Sequence, residues 1–146
     1  MLLSVIILAK TDSNLSFNTT SNCIETLKKS EDFTDNFKLE IIIIESNKKY
    51  NDTFKFPQDV KVIVPYETFG FHKFLNIGIK ASKGKFIALC NNDLLFHKNW
   101  FSSRLQNVKA VKSYRFFCNY SSRNTNQNTT DNGFWYRILA STSSKT

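Results

Sequence analysis

Cysteines are few in this sequence, and none is placed as a disulfide or zinc site would need. The 146 residues contain three of them, Cys23, Cys90 and Cys118. The number is odd and no two stand in a Cys-x-x-Cys pair, which argues against a disulfide framework and a structural zinc site. Cys90 lies within an apolar run, as a core residue does. We therefore expect a reduced chain in the cytoplasm.

The sequence also lacks an apolar run long enough to cross a membrane. The apolar start, residues 1–9, is far shorter than the roughly 20 residues that a spanning helix needs. No basic residue precedes this run and no small-residue cleavage site follows it, so we expect no signal peptide.

Blocks of like charge are missing as well, although the net charge is +8. The excess of Lys and Arg favours an anionic partner, but these residues are spread along the whole chain. A nucleic-acid groove is not indicated by such a distribution, and the many aromatic residues fall mostly at core-like spacing. We expect no nucleic-acid partner. A phosphorylated small molecule or an anionic membrane surface explains the charge equally well.

What the sequence does contain is a regular alternation of predicted strands and helices. Continuous aliphatic runs and helical periodicity predict strands at 2–8, 39–45, 60–64, 85–90 and 110–117, and helices at 17–29, 71–82, about 100–106 and 134–140. Gly84 stands where a glycine that ends a helix is expected. This order predicts a single Rossmann-like α/β domain with a mostly parallel central sheet flanked by helices.

The predicted organisation has one domain and two short segments. Residues 1–118 form the α/β domain, residues 119–132 form a polar connection rich in Ser, Asn and Thr, and residues 133–146 form a C-terminal helix and tail. No internal repeat is present, and no glycine-rich phosphate loop follows the first strand, which argues against a nucleotidyltransferase.

Polar residues follow the predicted strands at the edge where ligands of such sheets bind. These residues are Ala9, Lys10 and Thr11 after the first strand, Glu45 after the second, and Asn91, Asn92 and Asp93 after the fourth. A carboxylate at such a place can accept hydrogen bonds from a nucleoside or hold Mg²⁺ or Mn²⁺. Glu45 and Asp93 can equally be solvated loop residues, and the surface reading is the stronger one for Lys10 and Lys73.

One longer pattern resembles family-2 glycosyltransferases of the GT-A fold. Asn76-x-Gly78 is followed by Ala81-x-x-Gly84, then by a strand and by Asn91-Asn92-Asp93, which is similar to the D-x-D element of that family. The aromatic residue Trp100 is similar to one often found after that element. Together with the first strand and its loop, the resemblance covers about the first 105 residues.

The resemblance implies a nucleoside-diphosphate sugar as donor and Mn²⁺ or Mg²⁺ as cofactor. In the family an acidic residue at the place of Glu45 contacts the nucleoside, and the last carboxylate of the D-x-D element, here Asp93, holds the metal. Asn91 is a weaker metal candidate. Donor-binding candidates implied in this way are Ala9, Lys10, Thr11, Glu45, Lys73, Asn76, Asn92 and Asp93. Glu45 in place of the usual Asp, and the two Asn residues before Asp93, depart from the family pattern.

A base for the transfer reaction is hard to find. Inverting enzymes of this family need a carboxylate that deprotonates the acceptor, a glycan or lipid that the sequence does not identify. After Asp93 the only acidic residue is Asp131, within the Asn/Thr-rich stretch, and it is a weak candidate. We therefore expect either a glycosyltransferase or its donor-binding remnant. The alternatives are a nucleotide-binding module without catalysis and, further off, a basic nucleic-acid-binding domain.

Overall fold

The fold is built on a five-stranded sheet with the strand order β3-β2-β1-β4-β5. The computed structural model describes residues 1–50, 53–103 and 105, together with the backbone of residues 138–140. Strands β1 (Leu2–Ala9), β2 (Lys38–Glu45), β3 (Val60–Ile63) and β4 (Phe86–Asn91) are parallel, and β5 (Ile138–Ala140) is antiparallel to β4. The predicted α/β fold with a mostly parallel sheet is confirmed.

The two central strands are the aliphatic runs that the sequence analysis singled out. β1 pairs with β2 on one side and with β4 on the other, so it has no free edge. Its odd-numbered residues, from Leu3 to Ala9, join one buried cluster, while Ile6 joins a second cluster on the opposite face. A strand buried on both faces needs apolar residues at successive positions, which is why β1 shows no polar alternation.

Helix α1 (Asn14–Lys29) covers the first of these faces. Ser13 is the N-cap residue of α1 and forms a capping box with Ser16. The Ser13 hydroxyl accepts from the Ser16 backbone N–H, and the Ser16 hydroxyl accepts from the Ser13 backbone N–H. The buried side of α1 carries Cys23, Ile24 and Leu27. The helix begins three residues before the predicted start, because the cap and not the apolar periodicity determines where the first turn forms.

Helix α2 (Phe71–Ala81) covers the opposite face, so the molecule has three layers. Phe74 and Leu75 pack there against Ile6 and Ile42. Gly78 allows the close approach of this helix to the sheet, since a Cβ at residue 78 would lie 2.4 Å from Cγ2 of Ile6.

Gly84 does not end a helix, and that prediction was wrong. α2 stops at Ala81, with Ser82 in an extended conformation as its cap, and no glycine among the described residues has a positive φ. Glycine is required at 84 because a side chain would clash with β1: a Cβ there would lie 2.6 Å from the Ser4 backbone nitrogen. The Gly84 N–H donates to Ser4 Oγ (2.8 Å), and the Ser4 hydroxyl donates to Glu40. This link fixes the turn that leads into β4.

The predicted closing helix at 134–140 is contradicted at its end, because residues 138–140 form β5 and pair with Phe86–Ala88. Pairing with a distant strand overrides the local pattern there. Backbone hydrogen bonds from Ser103 to Asn99 and from Leu105 to Phe101 are helical, as predicted for this stretch. The predicted strand at 110–117 and the polar connection at 119–132 lie outside the described residues.

Two further observations concern the cysteines and membrane-spanning helices. Cys23 and Cys90 are buried thiols that form no disulfide. In the described part of the chain, no helix is both long enough and apolar enough to span a bilayer.

Candidate functional site

The ends of three neighbouring strands meet at one edge of the sheet. Ala9, the last residue of β1, is level with Glu45, the last residue of β2, and Leu8 is level with Asn91, the last residue of β4. Because the three strands are parallel, the loops that follow them leave the sheet side by side. This is the edge at which open α/β sheets bind ligands.

Glu45 is the centre of a buried hydrogen-bond network at this edge. Its side chain is completely buried, and both carboxylate oxygens accept from the backbone N–H of Thr11, at 3.0 and 3.2 Å. One of them also accepts from the Asn47 N–H at 2.7 Å. Charge-assisted bonds to backbone donors are among the stronger ones in proteins. In the structure Glu45 therefore holds two loops together, and its contact with a nucleoside stays a prediction.

The residues after Glu45 complete the same connection. Both the backbone N–H and the hydroxyl of Ser46 donate to the Ala9 carbonyl, at 2.8 and 2.9 Å. The Asn47 side-chain amide donates to the Thr11 carbonyl at 2.6 Å. The loop from Ala9 to Thr11 is thus fixed at both ends by the segment that follows β2. Lys10, between them, is exposed and forms an ion pair of 3.4 Å with Asp12.

The segment after β4 is attached to α1. The Asn92 side-chain amide donates to Thr20 Oγ1 at 2.9 Å, and the Cys23 thiol donates to the Asn91 carbonyl at 3.8 Å. Asp93 is exposed. Burial raises the pKa of Cys23 to about 12, opposed by a hydrogen bond with the Leu94 backbone and helped by the negative charge of Asp93. Asp93 therefore lies in a segment that follows the carboxyl end of β4 and is attached to α1.

Asp93 is the carboxylate that the segment after β4 offers to a metal ion. Within the part of the chain that the structure describes, no group of three or more His, Cys, Asp and Glu residues could hold a metal. Mg²⁺, however, is commonly bound through one or two carboxylates together with substrate phosphates and water. Asp93, exposed beside Asn91 and Asn92, fits such a shared site, in which most ligands come from a bound diphosphate.

Lys73 and Asn76 lie on α2, which covers the other face of the sheet. Both are exposed residues of α2, which follows β3 and therefore begins at the same edge. The N-cap residue Gly70 supplies no side-chain cap, and no acidic residue occupies the first turn. The N-terminal backbone amides of α2 and Lys73 thus form the positive side of the edge.

Sequence reasoning did not identify all of the residues that shape this edge. Thr20 and Asn47 were not singled out in the sequence. Thr20 lies within the predicted helix 17–29 and Asn47 follows the second predicted strand, and the roles of both depend on tertiary contacts that no local pattern reveals. Asp131, the candidate base, lies outside the described residues.

Comparison with known proteins identifies the family. Residues 4–142 match the family described as glycosyl transferase family 2. This chain belongs to that family. The match covers almost the whole sequence and confirms the resemblance on which the donor-site candidates rest. A search of curated proteins finds no significant match.

Solved structures share the fold of this family member. The crystal structure of S. aureus TarS 1-349 superimposes with a TM-score of 0.59 and 16% sequence identity, over 87% of this chain and 39% of that one. A second crystal structure of S. aureus TarS superimposes with a TM-score of 0.58 and 17% identity, over 87% of this chain and 23% of that one. The structure of TarS 1-349 in complex with UDP-GlcNAc has a TM-score of 0.55 and 18% identity, over 87% of this chain and 37% of that one. At these identities the likeness shows the fold alone, and this chain spans less than half the length of those proteins.

Proposed function

We propose that this family-2 protein binds a nucleoside-diphosphate sugar at the edge formed by the ends of β1, β2 and β4, as a glycosyltransferase or its donor-binding remnant, and that any transfer of the sugar proceeds with inversion. The observation that carries the proposal is the set of loops at this edge. The Glu45 network joins the loops after β1 and β2, and the segment after β4, which carries the exposed Asp93, is attached to α1. The protein acts in the cytoplasm, where its buried thiols remain reduced.

The proposed roles follow the positions of the residues. The loop from Ala9 to Thr11 and Glu45 lie on the nucleoside side of the edge, with Glu45 holding that loop in place. Asp93, with Asn91 or Asn92, would hold Mn²⁺ or Mg²⁺. The metal would supply positive charge to the departing diphosphate, and we assign a supporting role to Lys10, Lys73 and Asn76.

A nucleotide-binding module without catalysis is the second candidate. Asn91 and Asn92 stand where the family pattern has carboxylate or variable positions, and Asp131 is the only acidic residue after Asp93. Fewer carboxylates weaken metal binding and leave few groups able to act as the base. This candidate shares the donor site with the first and differs from it in the absence of transfer.

A binding experiment tests the donor site. We expect a panel of nucleoside diphosphates and their sugars, UDP-GlcNAc among them, to raise the melting temperature more strongly with Mn²⁺ than without it. In Asp93→Asn the Mn²⁺-dependent part of the shift should disappear while the unliganded melting temperature stays within a few degrees.

Asp59→Asn is the matched control. Asp59 precedes β3 at the opposite edge of the sheet, where it forms an ion pair with Lys28, so its loss should leave the Mn²⁺-dependent shift unchanged. Equal Mn²⁺-dependent shifts in Asp93→Asn and wild type would contradict the assignment of Asp93. No shift with any nucleotide would remove the proposed function and leave the fold intact.

A further inference from the structure

Thr20 is a buried polar residue on the side of α1 that faces the segment carrying Asp93. Its side chain is completely buried, and its hydroxyl oxygen accepts from the Asn92 side-chain amide at 2.9 Å. The same hydroxyl donates its proton to the Ser16 carbonyl, one helical turn earlier, at 3.0 Å. Thr20 therefore takes part in two hydrogen bonds whose directions are both fixed.

These directions determine the orientation of the Asn92 side chain. A threonine hydroxyl has one proton, and in Thr20 that proton is used on Ser16. The oxygen can then only accept, so Asn92 must turn its NH₂ group toward α1. The carboxamide oxygen of Asn92 consequently points away from the hydroxyl, and no described residue donates a hydrogen bond to it.

The carboxamide oxygen of Asn92 belongs to the segment that we assign to the donor site. Asn92 is half-buried and Asp93, the next residue, is exposed at the open edge of the sheet. The preceding Asn91 is held to α1 through Cys23, and the Phe96 N–H further along donates to Thr26 Oγ1 at 3.2 Å. The segment is thus attached to α1 on both sides of Asp93, so the orientation of Asn92 cannot adjust without breaking contacts.

We propose that Thr20 is a positioning residue that aims the carboxamide oxygen of Asn92 at the bound nucleotide sugar, next to Asp93. The inference rests on the proposed donor site and adds a residue to it that does not itself touch the ligand. The oxygen is an acceptor for a hydroxyl of the nucleotide sugar or a neutral ligand for Mn²⁺. Both uses need the oxygen and not the NH₂ group to face the site.

The test compares three variants of α1. Thr20→Val keeps the shape of the side chain and removes the hydroxyl, Thr20→Ser keeps the hydroxyl, and Thr19→Val is the matched control. The Thr19 hydroxyl also donates to the carbonyl one turn earlier, Leu15, but has no contact with Asn92. The dissociation constant of UDP-GlcNAc is measured by calorimetry with and without Mn²⁺, and the Asn92 side-chain NH₂ signals are followed by NMR.

We expect Thr20→Val to weaken binding roughly three- to tenfold, as expected for one hydrogen bond, and to shift the Asn92 NH₂ signals. Thr20→Ser and Thr19→Val should bind within about twofold of wild type, since both keep this hydrogen bond. A loss seen only with Mn²⁺ identifies the metal as the group that the oxygen meets, and an equal loss without Mn²⁺ identifies a hydroxyl of the ligand.

The outcomes separate this inference from the proposal beneath it. Unchanged affinity in Thr20→Val, with shifted Asn92 signals, overturns the positioning role while the donor site stands. An equal loss in Thr19→Val also overturns it, because a general weakening of α1 would then be the cause. If wild type binds none of the nucleotides in the panel, the proposed function fails and this inference fails with it.

Discussion

At the scale of single residues, Glu45 shows how a buried carboxylate can fix the loops at the edge of a sheet. Its charge is buried, yet both oxygens accept from the Thr11 N–H in the loop after β1, and one of them also accepts from the Asn47 N–H in the loop after β2. A buried charge is tolerated when hydrogen bonds replace the lost water. The residue was selected in the sequence because it ends a strand, and its contacts show that this position also joins two loops.

Glu45→Gln should therefore destabilise the protein although the two side chains have the same shape. The new NH₂ group would face the Thr11 N–H, so two donors would meet where a donor and an acceptor meet now. We expect the free energy of unfolding to fall by about 1–3 kcal/mol, the cost of leaving a buried donor unsatisfied. Urea denaturation measures this change.

Glu25→Gln provides the comparison for that measurement. Glu25 is exposed on α1 and pairs only with Lys29, one turn later. Exposed pairs of this kind contribute about 0.3–0.5 kcal/mol. Losses of the same small size in both variants would show that the Glu45 network contributes little to stability.

At the scale of secondary-structure elements, the packing of α2 depends on a residue that is unfavourable for a helix. Glycine in a helix interior costs about 1 kcal/mol relative to alanine. Gly78 lies against Ile6 and Ile44, however, and a Cβ there would be 2.4 Å and 3.2 Å from their side chains. The close contact between helix and sheet requires the smaller residue.

Gly78→Ala is expected to lower the free energy of unfolding by roughly 1–3 kcal/mol despite the better helix propensity of alanine, because overpacking forces the helix away from the sheet. Gly70→Ala is the control, since a Cβ at residue 70 meets nothing closer than 3.4 Å. It should cost roughly 0.5 kcal/mol, as alanine caps a helix less well than glycine. Chemical denaturation of both variants decides the matter, and a stabilised Gly78→Ala would refute the packing argument.

The elements also show how far sequence reasoning extends. The buried strands β1 and β2 were predicted within one residue, because an unbroken aliphatic run has few other structures open to it. The start of α1 was predicted too late, since Ser13 and Ser16 form a capping box without the usual Glu. β5 was predicted as part of a helix, because its partner β4 lies far away in the sequence. Most candidate site residues were selected by their position after strands, and Lys73 and Asn76 by the family resemblance. The roles of Thr20 and Asn47 depend on tertiary contacts.

At the scale of the whole molecule, this chain shares the fold of TarS but matches only part of its length. This chain is superimposed on 39% of TarS 1-349. The loops that we assign to the donor are all present by Asp93. A transfer reaction additionally needs an acceptor pocket and a base, and the sequence after Asp93 offers one carboxylate for that purpose, Asp131.

We accordingly expect this chain alone to bind a nucleotide sugar while transferring it weakly or not at all. Slow hydrolysis of the donor is compatible with this, because a metal that stabilises the leaving group does so for water as well as for an alcohol. The measurement is a transfer assay over a panel of sugar and lipid acceptors, with Asp131→Ala beside wild type. Robust transfer lost in Asp131→Ala would show a complete small enzyme, and robust transfer kept in that variant would show that the base comes from elsewhere.

The central place of β1 has a consequence for how the protein is made. Its partner β2 follows after α1, and β3 comes next, whereas β4, on the other side of β1, comes only after α2. Synthesis proceeds from the N-terminus, and a growing chain can begin to fold before it is finished. One half of the sheet can therefore assemble on the ribosome while the other side of β1 is still bare. Asp93 is synthesised after that half, so one side of the sheet can form before the proposed donor site is complete.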